Sequence, residues 1–214
     1  SPLSRVQVKE VYEELIQHHP SIVFESHFLE TTGDIDQKTS LRDLGKTDFF
    51  TRELDQALIE KRCRFCIHSA KDLPYPLLRG LKIAAITRGL DSSDVLVMRE
   101  NDSLENLSQG ARVGSSSAQR EERVREMRAD LSFVDIRGNI QQRLTKLNKG
   151  EVDAVVIAEA ALLRLDLSHL NRVQIPGTTT PLQGQLAILV REDDLELLSL
   201  FACIDEKKAT LSRA

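Results

Sequence analysis

Apolar side chains along the chain follow two patterns, one repeating at helical spacing and the other forming short continuous runs. Residues 3–18 show the first pattern and end at His18-His19-Pro20, where the proline cannot continue a helix. The helical pattern predicts helices at 3–18, 50–60, 117–128, 140–148 and 159–165. The apolar runs predict strands at 22–24, 64–68, 81–87, 95–98, 113–115, 131–134, 154–157 and 186–190. Strands that alternate with helices are typical of βαβ units, so we expect an α/β fold with a mostly parallel sheet.

Two polar stretches interrupt this alternation and indicate domain boundaries. Residues 88–94 and 176–181 are rich in glycine, serine, threonine, aspartate and proline, which is the composition of turns and linkers. Two such boundaries suggest one domain inserted into another. We therefore predict a first domain of residues 1–90 plus 186–214 and a second domain of residues 91–185, with a ligand cleft between them at the carboxyl ends of strands.

Composition excludes several classes of protein. The chain has 214 residues, of which 41% are hydrophobic and 29% charged, so a disordered or fibrous protein is excluded. No apolar run approaches the roughly 18 residues that a membrane-spanning helix needs, and no secretory signal opens the sequence. The net charge of −4 and the 4% content of aromatic residues argue against nucleic-acid binding. We expect a soluble, cytoplasmic protein.

Three cysteines, Cys63, Cys66 and Cys203, are too few for a disulfide framework. Cys63 and Cys66 have the C-x-x-C spacing of redox and zinc sites, but no second pair of ligands lies nearby at zinc spacing. Their surroundings indicate a short strand, in which positions i and i+3 point to opposite faces. We therefore interpret all three as ordinary structural thiols and predict no metal site.

The first polar cluster is His68–Pro74, directly after a predicted strand. Sites in α/β folds gather at the carboxyl ends of strands. Asp72, next to Lys71, is a candidate general acid or base, or a fixed anion that stabilises a cationic intermediate. An ordinary Asp-x-Pro turn with a solvated lysine explains the same residues, and the sequence leaves both interpretations open.

The second cluster is the glycine–serine turn Gly114–Arg120, between a predicted strand and a predicted helix. Backbone N–H groups and hydroxyls at the start of a helix bind anions, and Arg120 adds a bidentate donor. The alternative is that Ser117 is a plain N-cap and Arg120 is solvated. The Gly-Lys-Ser/Thr ending of a Walker phosphate loop is missing.

The third cluster follows strand 131–134, where Arg137 precedes a predicted helix and Arg143 lies within it. Both could face one anionic ligand, although Arg143 could instead pair with a surface carboxylate. Arg164 lies among apolar neighbours, and burial of a cation there would require a partner. These arginines near strand ends suggest a cleft for a ligand with several carboxylates or phosphates.

Seven short segments stand in order along nearly the whole chain. The motifs His-Ser-x-Lys-Asp-x-Pro and Arg-Gly-Asn-x-x-x-Arg are the most specific of them. The seven are Ser1-Pro2-Leu3, Thr32-Gly33-Asp34, Phe49–Leu54, His68–Pro74, Gly114–Arg120, Arg137-Gly138-Asn139 with Arg143, and Gln183-Gly184-Gln185. In this order they resemble the porphobilinogen deaminase family, also called hydroxymethylbilane synthase.

The resemblance implies two α/β domains like those of type II periplasmic binding proteins, the second inserted in the first, and a third, smaller domain. It implies a transferase of tetrapyrrole and haem biosynthesis that deaminates porphobilinogen and joins four units head to tail. The family uses a dipyrromethane cofactor held through a thioether to a cysteine of the third domain. It also implies a monomer whose partner is the small molecule porphobilinogen, with no nucleic-acid or membrane partner.

The resemblance assigns the candidate site residues as well. Asp72 matches the catalytic carboxylate, which would hold pyrrole N–H groups and stabilise the cation formed as ammonia leaves. Phe50 matches an aromatic beside the substrate pyrrole. The residues that match binding positions for cofactor and substrate are Ser1, Gln7, Lys71, Ser115, Ser116, Arg120, Arg137, Gly138, Arg143, Arg164 and Gln185.

The sequence also departs from the family pattern. Gln119 stands where the family usually has a second arginine, and the loop 44–48 is altered, with Lys46 shifted. The sequence is expected to lack the third domain, because it ends at Ala214 without a Leu-x-Gly-Gly-Cys motif, and Cys203 does not match the cofactor-bearing cysteine. The alternative function is therefore a non-catalytic module of two domains that binds an acidic pyrrole or another polycarboxylate.

Overall fold

The structure is a computed structural model, and it describes residues 1–36, 38–40, 42 and 48–206. The helices are α1 (Pro2–Leu15), α2 (Thr32–Ile35), α3 (Arg52–Ile59), α4 (Ala118–Met127), α5 (Ile140–Asn148), α6 (Glu159–Arg164) and α7 (Leu195–Leu200). The strands are β1 (Phe65–Ser69), β2 (Leu81–Ile86), β3 (Asp94–Met98), β4 (Arg112–Gly114), β5 (Ser132–Val134), β6 (Ala154–Ala158), β7 (Arg172–Ile175) and β8 (Leu186–Arg191). Short 3₁₀ turns cover Ala70–Asp72 and Phe201–Ile204.

The chain divides into two compact units. Unit 1 consists of Ser1–Ile35, Lys46–Leu90 and Gly184–Ala214, and unit 2 consists of Asp36–Gly45 and Asp91–Gln183. We propose that the units correspond to the two domains expected from the sequence, with unit 2 also including residues 36–45 and unit 1 also including residues 184 and 185.

Unit 1 is built around an antiparallel sheet with the strand order β1-β8-β2. The central strand, β8, pairs with both neighbours, and residues 186–190 are fully buried. A strand covered on both faces needs an uninterrupted apolar sequence, which Leu186–Val190 supplies. Phe201 packs in the core on one side of this sheet, where its ring lies 5.0 Å from that of Phe65.

Helix α1 illustrates how local sequence sets an element and its packing. The Ser1 side chain accepts a hydrogen bond from the Ser4 backbone N–H, the Ser4 hydroxyl lies 3.0 Å from the Ser1 amino group, and Pro2 occupies the first turn. Such a capping box satisfies backbone groups that a helix start leaves unpaired. Val11 and Leu15, four residues apart, are fully buried in the unit 1 core. The helix therefore begins with a cap and is held by its apolar face.

Unit 2 contains a five-stranded sheet with the order β5-β4-β6-β3-β7. Strand β4 runs parallel to β5 and β6, whereas β3 runs antiparallel to β6 and β7. Helices α4 and α5 follow β4 and β5 directly along the chain, as expected for βαβ units. The starts of both helices therefore lie at the carboxyl ends of neighbouring parallel strands.

The α/β class is confirmed, but the prediction of a mostly parallel sheet is wrong. In unit 1 both described pairings are antiparallel, and in unit 2 β3 opposes its two neighbours. The rule for parallel strands depends on a helical crossover between consecutive strands. Before both β3 and β8, the chain passes from one unit to the other. Neither strand is therefore joined by a helical crossover to a preceding strand of its own sheet, and its direction is not set in that way.

The predicted helices and all but one of the predicted strands are confirmed, with end points shifted by at most three residues. The strand predicted at 22–24 is wrong. Ile22 and Phe24 pack against the unit 1 core while Val23 is 86% exposed, so the side chains alternate as in a strand without joining a sheet. Strand β7 is not among the predicted strands, because its Arg-Val-Gln-Ile sequence has too few apolar residues to stand out.

Truncation of Phe201 tests the core of unit 1. The ring is fully buried, so we expect Phe201→Ala to lower the free energy of unfolding by about 3–5 kcal/mol through the lost burial and the cavity left behind. Urea titration followed by circular dichroism measures this change. The matched control is Val23→Ala, which should change stability by less than about 0.5 kcal/mol because Val23 is exposed. Equal effects of the two substitutions would contradict this packing.

Candidate functional site

The turn that carries Asp72 is fixed by the edge of the unit 1 sheet. Strand β1 ends at Ser69, paired with Leu186, and the chain continues into the 3₁₀ turn Ala70–Asp72. The Ala70 N–H donates to the carbonyl oxygen of Gln185 over 3.0 Å. In this turn Asp72 is exposed and Lys71 is half-buried. A strand pairing therefore brings Gln185 next to the turn of Asp72, which lies 113 residues earlier in the sequence.

Two glutamines support this edge from inside unit 1. The Gln7 amide nitrogen donates to the Ser69 hydroxyl over 2.9 Å, and Gln7 is buried at 7% exposure. The Gln185 amide nitrogen donates to the carbonyl oxygen of Thr87 over 2.9 Å. The structure thus gathers Gln7, Gln185 and the Asp72 turn at one end of the sheet.

Phe50 and Ser1 have local contacts in unit 1. The Phe50 ring contacts the Phe49 ring edge-on at 5.3 Å. It also lies so close to Gly33 that a Cβ atom there would overlap it, which explains the need for glycine in the Thr-Gly-Asp segment. Ser1 is exposed and caps α1 through Ser4, so its observed role is structural. Lys46 and the rest of the altered loop, residues 44–47, lie outside the described residues.

A buried pair of ionisable side chains near this turn escaped the sequence analysis. The His68 Nε2 atom, on β1, lies 3.7 Å from the Asp55 carboxylate, on α3, and both side chains are at least 95% buried. The Thr51 hydroxyl donates to the other Asp55 oxygen over 2.8 Å. Burial lowers the pKa of His68 to about 4, and burial also raises the pKa of Asp55. His68 is therefore neutral at pH 7.

In unit 2, the serine turn joins the ends of two parallel strands. Ser116, just after β4, has its hydroxyl within hydrogen-bond distance of the Asp135 carboxylate and of the Ile136 backbone N–H, just after β5. Ser115 is buried, and its hydroxyl accepts a bond from the Ser117 N–H over 3.2 Å. Ser117 precedes α4 without a side-chain capping bond. Ser117 thus occupies the N-cap position that one alternative gave it, but its side chain does not cap the helix.

Three arginines of unit 2 lie close enough for their charges to interact. Burial, with the positive charges of Arg120 and Arg137, lowers the pKa of Arg143 to about 10, and the Asp135 carboxylate opposes this shift in part. A guanidinium normally keeps its proton well above this range. The half-buried Arg143 donates to a backbone carbonyl oxygen, that of Gly138, and the Asp135 carboxylate only partly offsets the effect of the two cations on its pKa. The structure thus brings Arg120, Arg137 and Arg143 into one group, which we call the arginine cluster.

Hydrogen bonds within unit 2 hold each member of the arginine cluster. The Arg120 guanidinium lies 2.6 Å from the Asp94 carboxylate and 3.1 Å from the side-chain oxygen of Gln183. Arg137 is buried and donates to the carbonyl oxygen of Asp36 over 2.8 Å, while Arg143 donates to that of Gly138 over 2.8 Å.

Gly138 and α5 set the position of Arg143. Gly138 has a φ of +106°, a conformation that favours glycine, and a Cβ atom there would crowd Gln142. Asn139 and Gln142 then form a capping box at the start of α5. Arg143 lies in the first turn and a half of this helix. In the Arg-Gly-Asn motif, Arg137 thus follows β5, Gly138 makes the tight turn and Asn139 caps α5.

Two further residues lie outside the arginine cluster. Arg164 is half-buried and is the last residue of α6. Gln119, which replaces the usual family arginine, is exposed, and its amide nitrogen is 3.5 Å from the carbonyl oxygen of Thr178. Within the described residues, no group of three or more histidine, cysteine, aspartate or glutamate side chains is arranged to hold a metal ion. In the same part of the chain, no helix has the length and apolar character needed to cross a membrane.

Comparison with known proteins assigns the family. A protein-family model described as porphobilinogen deaminase, dipyromethane cofactor binding domain, matches residues 1–199. The chain belongs to the porphobilinogen deaminase family. A porphobilinogen deaminase from Streptococcus sanguinis is 35% identical over 97% of this chain and 70% of its own length. One from Desulforudis audaxviator is 38% identical over 96% of this chain and 67% of its own length.

The porphobilinogen deaminase family is a family of transferases of porphyrin and tetrapyrrole biosynthesis that use a dipyrromethane cofactor. Solved structures agree on the fold. An arginine periplasmic binding protein from Legionella pneumophila matches with a TM-score of 0.50 at 14% identity, over 96% of this chain and 82% of its own. The periplasmic VFT2 domain of BvgS from Bordetella pertussis matches with a TM-score of 0.52 at 14% identity, over 96% of this chain and 81% of its own. The predicted likeness to type II periplasmic binding proteins is thereby confirmed.

The neutral state of His68 gives a prediction for stability against pH. The pKa falls from an ordinary 6.5 to about 4 on folding, so the unfolded chain binds more protons between these values and stability declines as the pH falls through them. At pH 5 the loss from this one group is on the order of 2 kcal/mol relative to pH 7.5.

Urea titrations at pH 7.5 and pH 5 test this contribution. The variant His68→Gln removes the titrating group while keeping a polar side chain of similar reach, so its loss of stability between the two pH values should be smaller than that of the unaltered chain. The matched control, His27→Gln, replaces an exposed histidine and should leave the pH dependence unchanged. Equal pH dependence for His68→Gln and the unaltered chain would show that His68 does not titrate as described.

Proposed function

We propose that this chain deaminates porphobilinogen and joins four units head to tail into hydroxymethylbilane. The observation that carries the proposal is the arginine cluster, because Arg120 and Arg143 lie in the helices that follow two neighbouring parallel strands, and their charges interact with each other and with that of Arg137. A site with this excess of positive charge favours a ligand with several carboxylates. Each porphobilinogen unit brings two carboxylates, and a chain of units brings a row of them.

Several residues of unit 2 would bind the acetate and propionate groups. Guanidinium groups bind carboxylates through two parallel hydrogen bonds, and their fixed geometry orients the ligand. The Arg120 guanidinium is paired with Asp94. On ligand binding, some of its N–H groups would donate to a ligand carboxylate instead of to Asp94. The proposed unit 2 residues are Ser115, Ser116, Arg120, Arg137, Gly138, Arg143 and Arg164.

In unit 1, we propose that Asp72 acts at the reacting carbon. Its carboxylate would accept hydrogen bonds from the pyrrole N–H and stabilise the positive charge that develops as ammonia leaves. Support comes from its exposed position in a turn that β1 and Gln185 hold in place. The neighbouring Lys71 would bind a carboxylate, and Phe50 would lie against a pyrrole ring. Ser1, Gln7 and Gln185 complete the proposed set in unit 1.

The residues of the arginine cluster also suit the dipyrromethane cofactor of the family. That group bears carboxylates, and the mutual repulsion of three guanidinium groups is relieved when anions approach them. We propose that Arg120, Arg137 and Arg143 hold its carboxylates. When bound, the cofactor supplies the pyrrole to which the first substrate unit is joined. The protein's own contribution there is to orient and neutralise carboxylates.

A second candidate is a non-catalytic module that binds an acidic pyrrole or another polycarboxylate. The arginine cluster supports this function too, because carboxylate binding by unit 2 does not require Asp72. The two candidates differ in one measurable property. A deaminase consumes porphobilinogen, whereas a binding module retains it unchanged.

Substitution of Asp72 tests the catalytic proposal. Asp72→Asn keeps the size of the side chain and removes its charge, so we expect porphobilinogen consumption to fall by about 10²-fold or more while binding is retained. Ehrlich's reagent follows the consumption, and titration calorimetry follows binding. The matched control is Asp193→Asn, an exposed aspartate of the same unit, which should keep full activity. Undiminished turnover by Asp72→Asn would remove the role of Asp72, and binding without turnover in the unaltered chain would favour the binding module.

Substitution of Arg143 tests the carboxylate site and applies to both candidates. Arg143→Gln removes a charged donor, so the dissociation constant for porphobilinogen should rise about tenfold, which corresponds to about 1.4 kcal/mol. Thermal unfolding should change little, because the substitution removes both the repulsion from the other arginines and the hydrogen bond to Gly138, which act on stability in opposite directions. The control is Arg125→Gln, which removes an exposed arginine of α4 and should leave affinity unchanged. Equal affinities for the two variants would exclude the arginine cluster as the binding site.

A further inference from the structure

The corner between α3 and β1 brings two cysteines together. The Sγ atoms of Cys63 and Cys66 are 3.6 Å apart. Cys63 is half-buried and Cys66 is 6% exposed. The sequence pattern favoured thiols on opposite faces of one strand, but this interpretation is wrong. Strand β1 begins at Phe65, so Cys63 lies in the preceding turn, where the chain bends and directs its thiol toward Cys66.

Tertiary contacts hold both cysteines in place. The Arg191 guanidinium, on β8, donates to the carbonyl oxygens of Leu58 and Cys63 over 3.2 Å each. On the other side, Cys66 pairs with Leu189 in the β1–β8 ladder. The short distance between the thiols is therefore a property of the folded unit 1, in which β8 fixes one cysteine by its backbone and the other through Arg191.

The surroundings of the two thiols favour disulfide chemistry over metal binding. Within the described residues, no third or fourth ligand completes a metal site with them. The Cys66 thiol also lies 3.4 Å from the carbonyl oxygen of Leu54. This contact leaves the Cys63 and Cys66 sulfurs next to each other. A disulfide requires the sulfurs to approach from 3.6 Å to about 2 Å, and the half-buried Cys63 has more room for side-chain rotation than the buried Cys66.

We propose that Cys63 and Cys66 form a reversible intramolecular disulfide when the folded chain meets a small-molecule disulfide such as oxidised glutathione. The Cys63 thiolate attacks one sulfur of the oxidant, which forms a mixed disulfide and releases one glutathione thiolate. The Cys66 thiolate then attacks the Cys63 sulfur and releases the second. Two protein thiols lose two protons and two electrons, and one oxidised glutathione becomes two reduced molecules.

The environment sets the order of these two steps. Burial raises the pKa of the Cys66 thiol, and the nearby Cys63 raises it further. Cys66 is therefore a poor first nucleophile, while Cys63 is accessible to the oxidant. The second step benefits from the fixed distance between the two sulfurs, which gives it a high effective concentration. Oxidation should accelerate as the pH rises, because a thiolate is the nucleophile in both steps.

Mass spectrometry of the folded, reduced chain with oxidised glutathione tests the proposal. Three free thiols are present at the start. Before alkylation, the oxidised chain should be about 2 Da lighter than the reduced chain, the mass of two hydrogen atoms. After alkylation, only Cys203 should carry the alkyl group. Peptide mapping should place the bond between Cys63 and Cys66, and dithiothreitol should restore both thiols.

Three variants make the result specific. Cys203→Ser is the matched control and should form the same disulfide at the same rate. Cys66→Ser should accumulate the mixed disulfide of Cys63 with glutathione, and Cys63→Ser should leave Cys66 unmodified. Circular dichroism confirms that each variant is folded. Accumulation of the Cys63 mixed disulfide in the unaltered chain, or a bond that involves Cys203, would overturn the proposal. None of these outcomes depends on porphobilinogen turnover.

Discussion

The pairing of β8 with both β1 and β2 is the constraint on which unit 1 depends. Because β8 lies between them, its backbone satisfies the hydrogen bonds of two strands, and its fully buried side chains form the centre of the core. The same register places Gln185 beside Ala70 and thus fixes the turn of Asp72. It also sets the position of Arg191, which holds the Cys63 backbone. One strand from late in the sequence therefore supports the core, the candidate catalytic turn and the cysteine corner.

Unit 2 shows a different balance between stability and function. Burying a guanidinium near two others is unfavourable, and the fall in the pKa of Arg143 expresses that cost. Local hydrogen bonds to Gly138, Asp36 and Asp94 offset part of it. A ligand with several carboxylates would offset the rest. This arrangement supports our proposal that unit 2 binds acidic pyrroles, because Asp94 and Asp135 leave the pKa of Arg143 lowered and further carboxylates would raise it.

The sequence determined most helices and strands, because their apolar periodicity reflects local geometry. It also placed the Asp72 turn, the serine turn and the Arg-Gly-Asn turn at strand ends, and the motifs there carried the family resemblance. It failed for 22–24, where side-chain alternation occurs without a partner strand, and for the direction of β3 and β8, which have no crossover helix to dictate it. Periodicity reports which faces are apolar, but it does not report which strands meet.

The sequence by itself thus determined the family, the elements and the kinds of residue at the candidate site. Only the tertiary structure decided which of those residues meet. Asp55 and His68 come from different elements, and nothing in their spacing indicates that both are buried 3.7 Å apart. The proximity of Arg120, Arg137 and Arg143 and that of the Cys63 and Cys66 thiols have the same origin. Burial and mutual distance arise from packing between elements remote in sequence, and they shift the pKa values of His68, Arg143 and Cys66.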